Sequence, residues 1–449
     1  MKINQLIEVN VPKVNMEGIA RVKVQNEVVL IKDVVEKEKV TIKLVKRINE
    51  GWVGEVVKVL TPSNYRQKNP CAIASLCGGC SYYHMTYESQ LILKKQQIID
   101  LVKESGYTQL KVHDVVGMNE PCAYRNKIIM SFARNKQRVT KMGFYGENSH
   151  EIVDVNECLN HEPFVNDLCR TIKRLVSKFK IEIYDEDRRT GLLRHVLIRR
   201  GFVSNQTLVC FVLSNKLFPA GKSMVKELLK AHPEVTSVVV NVNNRKTSIV
   251  LGDEEKVLYG KGYIQDELCG LKYAISTKSF YQINHEQTEK LYAKAIELMN
   301  LKGNEVVYDM YCGIGTIGLS AAKSALEVVG VEINTKAIED AKKNAQYNQI
   351  KNARFYAEDA STFMNKAAHM SKRVDAVFID PPRSGSDEVF LKALCQMKPK
   401  QIVYISCNPV TQMRDLRTLF QAGYKATDCY LYDMFPQTSH IESVVLLTK

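Results

Sequence analysis

From about Tyr263 onward the chain alternates short apolar, β-rich runs with segments of helical period, and nothing else in it constrains the fold as tightly. A helix is expected over His285 to Leu301. Strands are expected at Glu305–Met310, Glu327–Glu332, Ala353–Ala357, Val374–Ile379, Gln401–Ile405, Ala426–Tyr432 and Glu442–Leu447, with helices such as Thr335–Gln346 between them. Strands that read as unbroken apolar runs are buried on both faces, and helical crossovers join parallel neighbours. The expected fold class is therefore α/β: a doubly wound, Rossmann-like sheet whose ligand site lies at the carboxyl ends of the strands.

A chain of 449 residues exceeds a single core, and the sequence before Tyr263 follows other patterns. Residues 1–62 carry five short alternating runs (Gln5–Val11, Gly18–Val24, Glu27–Ile31, Lys39–Val45, Val53–Leu60), which predict a small closed OB-like β-barrel. The turn-forming Thr61-Pro62-Ser63-Asn64 marks its end. Residues 63–262 read as a mixed α+β domain, with a helix over Tyr87–Ser105 and strands at His195–Arg200, Thr207–Leu213 and Ser237–Asn243. Residues 263–449 form the α/β domain.

The formal net charge of +14 favours a polyanionic partner such as RNA. Between Lys94 and Lys141 ten basic residues, Lys136 and Arg138 among them, face four acidic ones, with Tyr107, Tyr124 and Phe132 interleaved. No apolar stretch approaches the roughly 20 residues that span a bilayer, and no signal-like segment opens the chain, so a cytoplasmic monomer without membrane contact is expected. In that compartment the 12 cysteines are ligands, nucleophiles or small core residues rather than disulfides.

Four tracts carry chemistry. After the first α/β strand comes D-M-Y-C-G-I-G-T (Asp309 to Thr316), a glycine loop that lets the backbone approach a ligand. Glu332 ends the next strand, where a carboxylate can accept both ribose hydroxyls. Asp359 follows the third, placed to meet an adenine amino group, and D-P-P-R (Asp380 to Arg383) follows the fourth. The loop alone also matches a dinucleotide fingerprint, which keeps an NAD oxidoreductase as a rival; the succession of stations is the layout of class I S-adenosylmethionine methyltransferases. In S-C-N-P (Ser406 to Pro409) the turn after the strand would expose Cys407 at the cofactor edge. A thiolate there can add to C6 of a pyrimidine and make C5 nucleophilic, Glu442 can remove the C5 proton, and Asp380 can accept the uracil N3–H. Cys71, Cys77 and Cys80, with Cys158 as a fourth, have the spacing of a metal site. Zinc and an iron–sulfur cluster both fit; one close pair plus a distant fourth cysteine favours a 4Fe-4S cluster. Lys278 to Asn284 is a polar loop in which Gln282 can both donate and accept.

Taken together these tracts, with Y-R-N-K (Tyr124 to Lys127), F-Y-Q-I-N (Phe280 to Asn284) and M-F-P-Q-T-S-H-I-E (Met434 to Glu442), resemble the RNA uracil-5 methyltransferase family over nearly the whole chain. The resemblance is to the 23S rRNA branch, which carries an N-terminal TRAM β-barrel and a 4Fe-4S cluster. It implies that Cys407 is the nucleophile and Glu442 the base, that Gln282, Tyr311, Glu332 and Asp380 contact S-adenosylmethionine, and that Asp359 lies near the adenine. It also implies that the TRAM and central domains bind RNA, with Tyr124, Arg125 and Lys127 as contacts, although a structural role suits Tyr124 equally. A transfer-RNA uridine-54 enzyme and a non-catalytic RNA-binding assembly factor are the alternatives.

Overall fold

The computed structural model describes residues 1–135, 137, 139–147, 149–247 and 249–449; Lys136 and Arg138 of the basic run lie outside them. Five strands, β1 (Leu6–Asn10), β2 (Ala20–Val24), β3 (Glu27–Ile31), β4 (Lys39–Ile48) and β5 (Gly51–Thr61), pair in the order β1-β4-β5-β3-β2. Past the end of β1, Val14 bridges Ala20 of β2. Alternate residues such as Val40, Ile42 and Leu44 point inward to one apolar cluster, which Tyr82, Met85 and Leu93 from the following segment help fill.

Helix α1 (Tyr87–Glu104) and strand β6 (Lys111–Val116) come next, followed by β7 (Lys127–Arg134), β8 (Thr140–Tyr145), β9 (Ile152–Asp154), α2 (Pro163–Lys178), β10 (Leu193–Arg200), β11 (Thr207–Leu213), α3 (Gly221–Ala231), β12 (Val235–Val242) and β13 (Glu254–Tyr259). Strands β7 to β13 form a seven-stranded sheet, order β13-β12-β11-β10-β7-β8-β9, with α2 and α3 in the apolar cluster of one face. A hairpin of β14 (Tyr263–Leu268) and β15 (Leu271–Ser276) then leads to α4 (His285–Met299), whose N-cap Asn284 accepts the Gln287 N–H.

The C-terminal elements are β16 (Val306–Met310), α5 (Thr316–Ala321), β17 (Glu327–Glu332), α6 (Thr335–Tyr347), β18 (Ala353–Ala357), α7 (Ala360–His369), β19 (Ala376–Ile379), α8 (Glu388–Met397), β20 (Gln401–Ser406), α9 (Pro409–Gln421), β21 (Asp428–Tyr432) and β22 (Glu442–Thr448). They make an eight-stranded sheet of order β18-β17-β16-β19-β20-β22-β21-β6. Strand residues divide by parity between two cores: Val307, Phe378 and Val403 pack with α4 to α6, whereas Tyr308, Ile379 and Tyr404 pack with α1 and α7 to α9. This is the class I methyltransferase fold, with the order reversing between β16 and β19, so that a crevice opens there.

The sequence pattern did not display two features. The eighth strand, β6, comes from far upstream and pairs parallel with β21, so α1 and β6 pack with this sheet rather than with the seven-stranded one. And β22 runs antiparallel between β20 and β21. No helix among the described residues is long and apolar enough to cross a membrane.

Candidate active site and a second, thiol-lined cavity

The S-C-N-P tract has a local logic. Ser406 is the last residue of β20, Asn408 is the N-cap of α9 and accepts the Val410 N–H, and Pro409 starts the helix where its missing N–H costs nothing. Cys407 is thereby held at the strand-to-helix corner. The Asn408 Nδ2 donates to the Arg383 carbonyl at 2.9 Å, tying this corner to the D-P-P-R turn after β19.

The antiparallel register of β20 and β22 pairs Ser406 with Ser443. Cys407 follows the last paired residue of β20 and Glu442 precedes Ser443 at the start of β22, so the adjacent strand ends bring both to one cavity. Glu442 is 3% exposed. Burial, then the nearby Asp380 carboxylate, pushes its carboxyl well above the usual range, against the pull of Arg383. Burial also raises Asp380, to about 7. The Cys407 thiol is raised to about 11 by burial and then by Glu442 and Asp380, with Arg383 opposing. Arg383 Nη2 lies 3.0 Å from His440 Nε2. A guanidinium only donates, so His440 accepts there as a neutral ring; burial and then Arg383 lower its pKa to about 4.

At the other side of the crevice, β16 is followed by Tyr311 at φ +64° and a loop closed by Gly315 at φ +83°. Asp309, pushed up to about 7 by burial, accepts the Gly318 N–H at 2.9 Å; a Cβ at Gly318 would lie 2.7 Å from that same oxygen, so glycine is required. Glu332 closes β17 with its two oxygens accepting N–H groups of Asn334 (2.9 Å) and Gly313 (3.3 Å). Asp359 is exposed and caps α7 through Oδ1, accepting from Thr362 N, so half of its carboxylate is committed to the helix. Gln282 is held by its carbonyl, which accepts the Asn126 Nδ2 at 2.8 Å.

Cys407, Glu442, Gln282, Tyr311, Glu332, Asp359 and Asp380 all line one cavity of about 730 Å³. A thiol opposed to a buried carboxylate can make and break a covalent bond to a substrate and move a proton beside it. Arg383, Phe280 and Phe435 line it too. Sequence reasoning gave them no role, although Arg383 sits in the quoted D-P-P-R tract and the two phenylalanines in quoted tracts as well.

Cys71, Cys77, Cys80 and Cys158 line a second cavity of about 380 Å³, together with Tyr83 and Arg125. Asn160 Nδ2 donates to Cys80 Sγ at 3.2 Å, and Arg125 Nε is buried without a partner. Among the described residues no group of three or more His, Cys, Asp or Glu side chains is arranged to hold a metal ion. Two residues of the basic, aromatic-interleaved run are interior ones. Tyr124 is buried, with its hydroxyl donated to the Pro436 carbonyl, and so is not displayed for stacking. Lys94, counted in the basic run, is fully buried against Asp433.

The sequence profile of the family described as tRNA (uracil-5-)-methyltransferase matches residues 86–449. A Bacillus cereus protein described as an uncharacterized RNA methyltransferase is 39% identical over 447 residues, covering 99% of this chain and 97% of its own length. A similarly described protein of Halalkalibacterium halodurans is 40% identical over 446 residues, with the same coverages of 99% and 97%. Among solved structures, the Pyrococcus abyssi tRNA (uracil-54, C5)-methyltransferase in complex with S-adenosyl-L-homocysteine superposes with a TM-score of 0.80 at 27% identity, covering 98% of this chain and all of that one.

Proposed function

Since the chain belongs to the tRNA (uracil-5-)-methyltransferase family and is an S-adenosylmethionine-dependent RNA methyltransferase, we propose that it methylates C5 of a uridine in 23S rRNA through a covalent adduct on Cys407. The observation that carries this reading is the meeting of Cys407, Glu442 and Asp380 in the cavity at the sheet's switch point.

S-adenosylmethionine supplies an electrophilic methyl group on a sulfonium centre. Glu332, its oxygens fixed by two backbone N–H groups, suits a ribose diol, Asp359 the adenine amino group, and Gln282, Tyr311 and Asp380 the remainder. Asp380 can also accept the uracil N3–H, which cytosine lacks; the buried carboxylate would then be left unpaired by the wrong base. In the reaction, Cys407 gives up its thiol proton to solvent, Sγ adds as thiolate to C6, and the C5=C6 electron pair moves toward C5 and O4. C5 then takes the methyl group, and the sulfonium becomes a neutral thioether. Glu442 accepts the C5 proton, the C5=C6 bond re-forms, and Sγ leaves as thiolate. The target base has to be unpaired or flipped to reach the cavity.

In this reading residues 1–62 are a TRAM barrel and, with residues 63–262, grip the RNA, while residues 263–449 carry the chemistry; the protein works as a cytoplasmic monomer. The second cavity takes a 4Fe-4S cluster. Its donor set is all thiol, each iron of a cluster takes its own thiolate, so the donors surround a cavity rather than converge on a point, and Arg125 offsets their charge. Protein purified without oxygen is expected to carry about four iron and four acid-labile sulfide per chain, lost in Cys80→Ala. Stoichiometric zinc and no sulfide would replace the cluster with a zinc site.

The likeness to the Pyrococcus tRNA uracil-54 enzyme, which extends over the N-terminal sheet, favours a second reading in which the substrate is tRNA. Mapping 5-methyluridine in both RNA pools of a deletion strain separates them. Loss from 23S rRNA alone is expected; loss from tRNA alone transfers the assignment.

A further inference from the structure

Glu442 follows a nine-residue strap, Asp433 to Ile441, that joins β21 to β22. Four consecutive carbonyls of this strap are each bound by a different segment of the chain. Met434 O accepts Asn284 Nδ2 (3.2 Å), Phe435 O accepts Lys94 Nζ (3.3 Å), Pro436 O accepts the Tyr124 hydroxyl (3.2 Å), and Gln437 O accepts the backbone N–H groups of Ser81 and Tyr82 (2.8 and 3.1 Å).

Helix α1 supplies the heaviest grip. Lys94 Nζ lies 2.6 Å from Asp433 Oδ1, with both side chains wholly buried, and the Tyr87 hydroxyl donates to Asp433 Oδ2 at 2.8 Å. Gln90 and Gln437 bind each other reciprocally: Gln90 Nε2 donates to Gln437 Oε1 (2.9 Å), and the Gln437 backbone N–H donates to Gln90 Oε1 (3.1 Å). Gln437 itself is held at φ +68°, a conformation that a side chain rarely adopts. The Ser81 and Tyr82 bonds begin one residue after Cys80, so the strap also hangs on the wall of the thiol-lined cavity.

A wholly buried ion pair adds little stability over apolar side chains of the same volume, and its best-attested use is to specify register. None of Gln90, Lys94 and Gln437 lines the active-site cavity. What the strap delivers to that cavity is Phe435 and Glu442.

We propose that the strap clamped by Gln90, Lys94 and Gln437 sets the position of Glu442, making these three positioning residues for removal of the C5 proton. The proposal rests on Glu442 being the proton acceptor. Glu442 is the first paired residue of β22, opposite Tyr432, so loosening the clamp frays that strand end and lets the carboxylate drift, while Cys407 stays held at the β20–α9 corner that Asn408 ties to Arg383. Adduct formation then persists and adduct resolution slows.

The test uses the full chain and total RNA from cells lacking the gene, labelled with 5-tritiated uridine. Gln437→Ala is expected to slow tritium release on the order of tenfold to a hundredfold. The fraction of protein in a denaturation-resistant RNA adduct should rise several-fold, and the calorimetric affinity for S-adenosylmethionine should be unchanged. The Lys94→Met/Asp433→Asn pair, which removes both charges of the buried ion pair and leaves an acceptor for the Tyr87 hydroxyl, should behave alike and serves if the single variant misfolds. Unchanged release, or adduct and release falling together, overturns the clamp. Glu442→Gln is run beside them. If it accumulates adduct and the clamp variants do not, only the clamp fails; if it too accumulates none, the assignment of the base fails first.

Discussion

Cys407→Ala is expected to lose methyl transfer by at least about a thousandfold while binding S-adenosylmethionine as the parent does, because a covalent nucleophile has no substitute within the site. The cavity offers no second thiol: the nearby Cys312 is in the apolar cluster beside the glycine loop, and Cys407 alone lines the crevice among the cysteines. Titration gives an independent handle. In the free protein, burial and the Glu442 and Asp380 carboxylates hold the thiol near 11. At neutral pH it is therefore protonated, and its thiolate fraction should climb tenfold per pH unit until about that value. Alkylation of Cys407 by iodoacetamide, followed by peptide mass spectrometry, should show that slope between pH 7 and 10. A sulfonium cation placed in the same cavity favours both anions and lowers the thiol's pKa. The neutral thioether product lacks that charge and should leave the slope where it was. Normal turnover by Cys407→Ala would end the covalent mechanism.

How much of this was legible beforehand follows from where each signal is stored. The glycine loop, Glu332, Asp380 and Cys407 occupy strand ends, and strands buried on both faces announce themselves by unbroken apolar runs; their ends mark the site. The burial of Lys94 was hidden for the complementary reason. Sequence patterning reads polar as solvent-facing, yet Tyr87, Gln90 and Lys94 form a polar stripe at helical spacing that is satisfied by Asp433, Phe435 and Gln437, more than 330 positions away. Nothing local distinguishes such a stripe from a wet face. Strand β6 was hidden likewise: Lys111 to Val116 is short, with charged and apolar residues mixed, and only its pairing with β21 makes it part of the sheet. Asp359 shows a third limit, since an aspartate just before a helix is legible as an N-cap and as an adenine partner alike, and the structure commits one oxygen to the cap.

Glu442→Gln is expected to stop the reaction at a later point than Cys407→Ala does. The amide keeps the shape of the carboxyl but cannot take a proton, so C5 retains its hydrogen after methylation and Sγ cannot be expelled. A methylated protein–RNA adduct should accumulate, visible as a band shift that survives denaturation, while turnover falls by about 10²–10⁴-fold. The electrostatics sharpen this. The Glu442 charge is one of the influences that raise the Cys407 thiol. Its removal therefore lowers the thiol's pKa, and the first step should be no slower in the variant than in the parent. In the parent, burial and Asp380 raise Glu442 well above the ordinary carboxyl range. A group raised in this way is a stronger base once ionised but is protonated, and useless as an acceptor, over a wider acid range. Parent turnover should accordingly fall more steeply toward acid than adduct formation in Glu442→Gln, which follows the thiol alone. Clean turnover by the variant, or adduct formation that falls toward acid as steeply as the parent's turnover, would remove Glu442 as the base and return the proton to another group in the cavity, with Asp380 the first to examine.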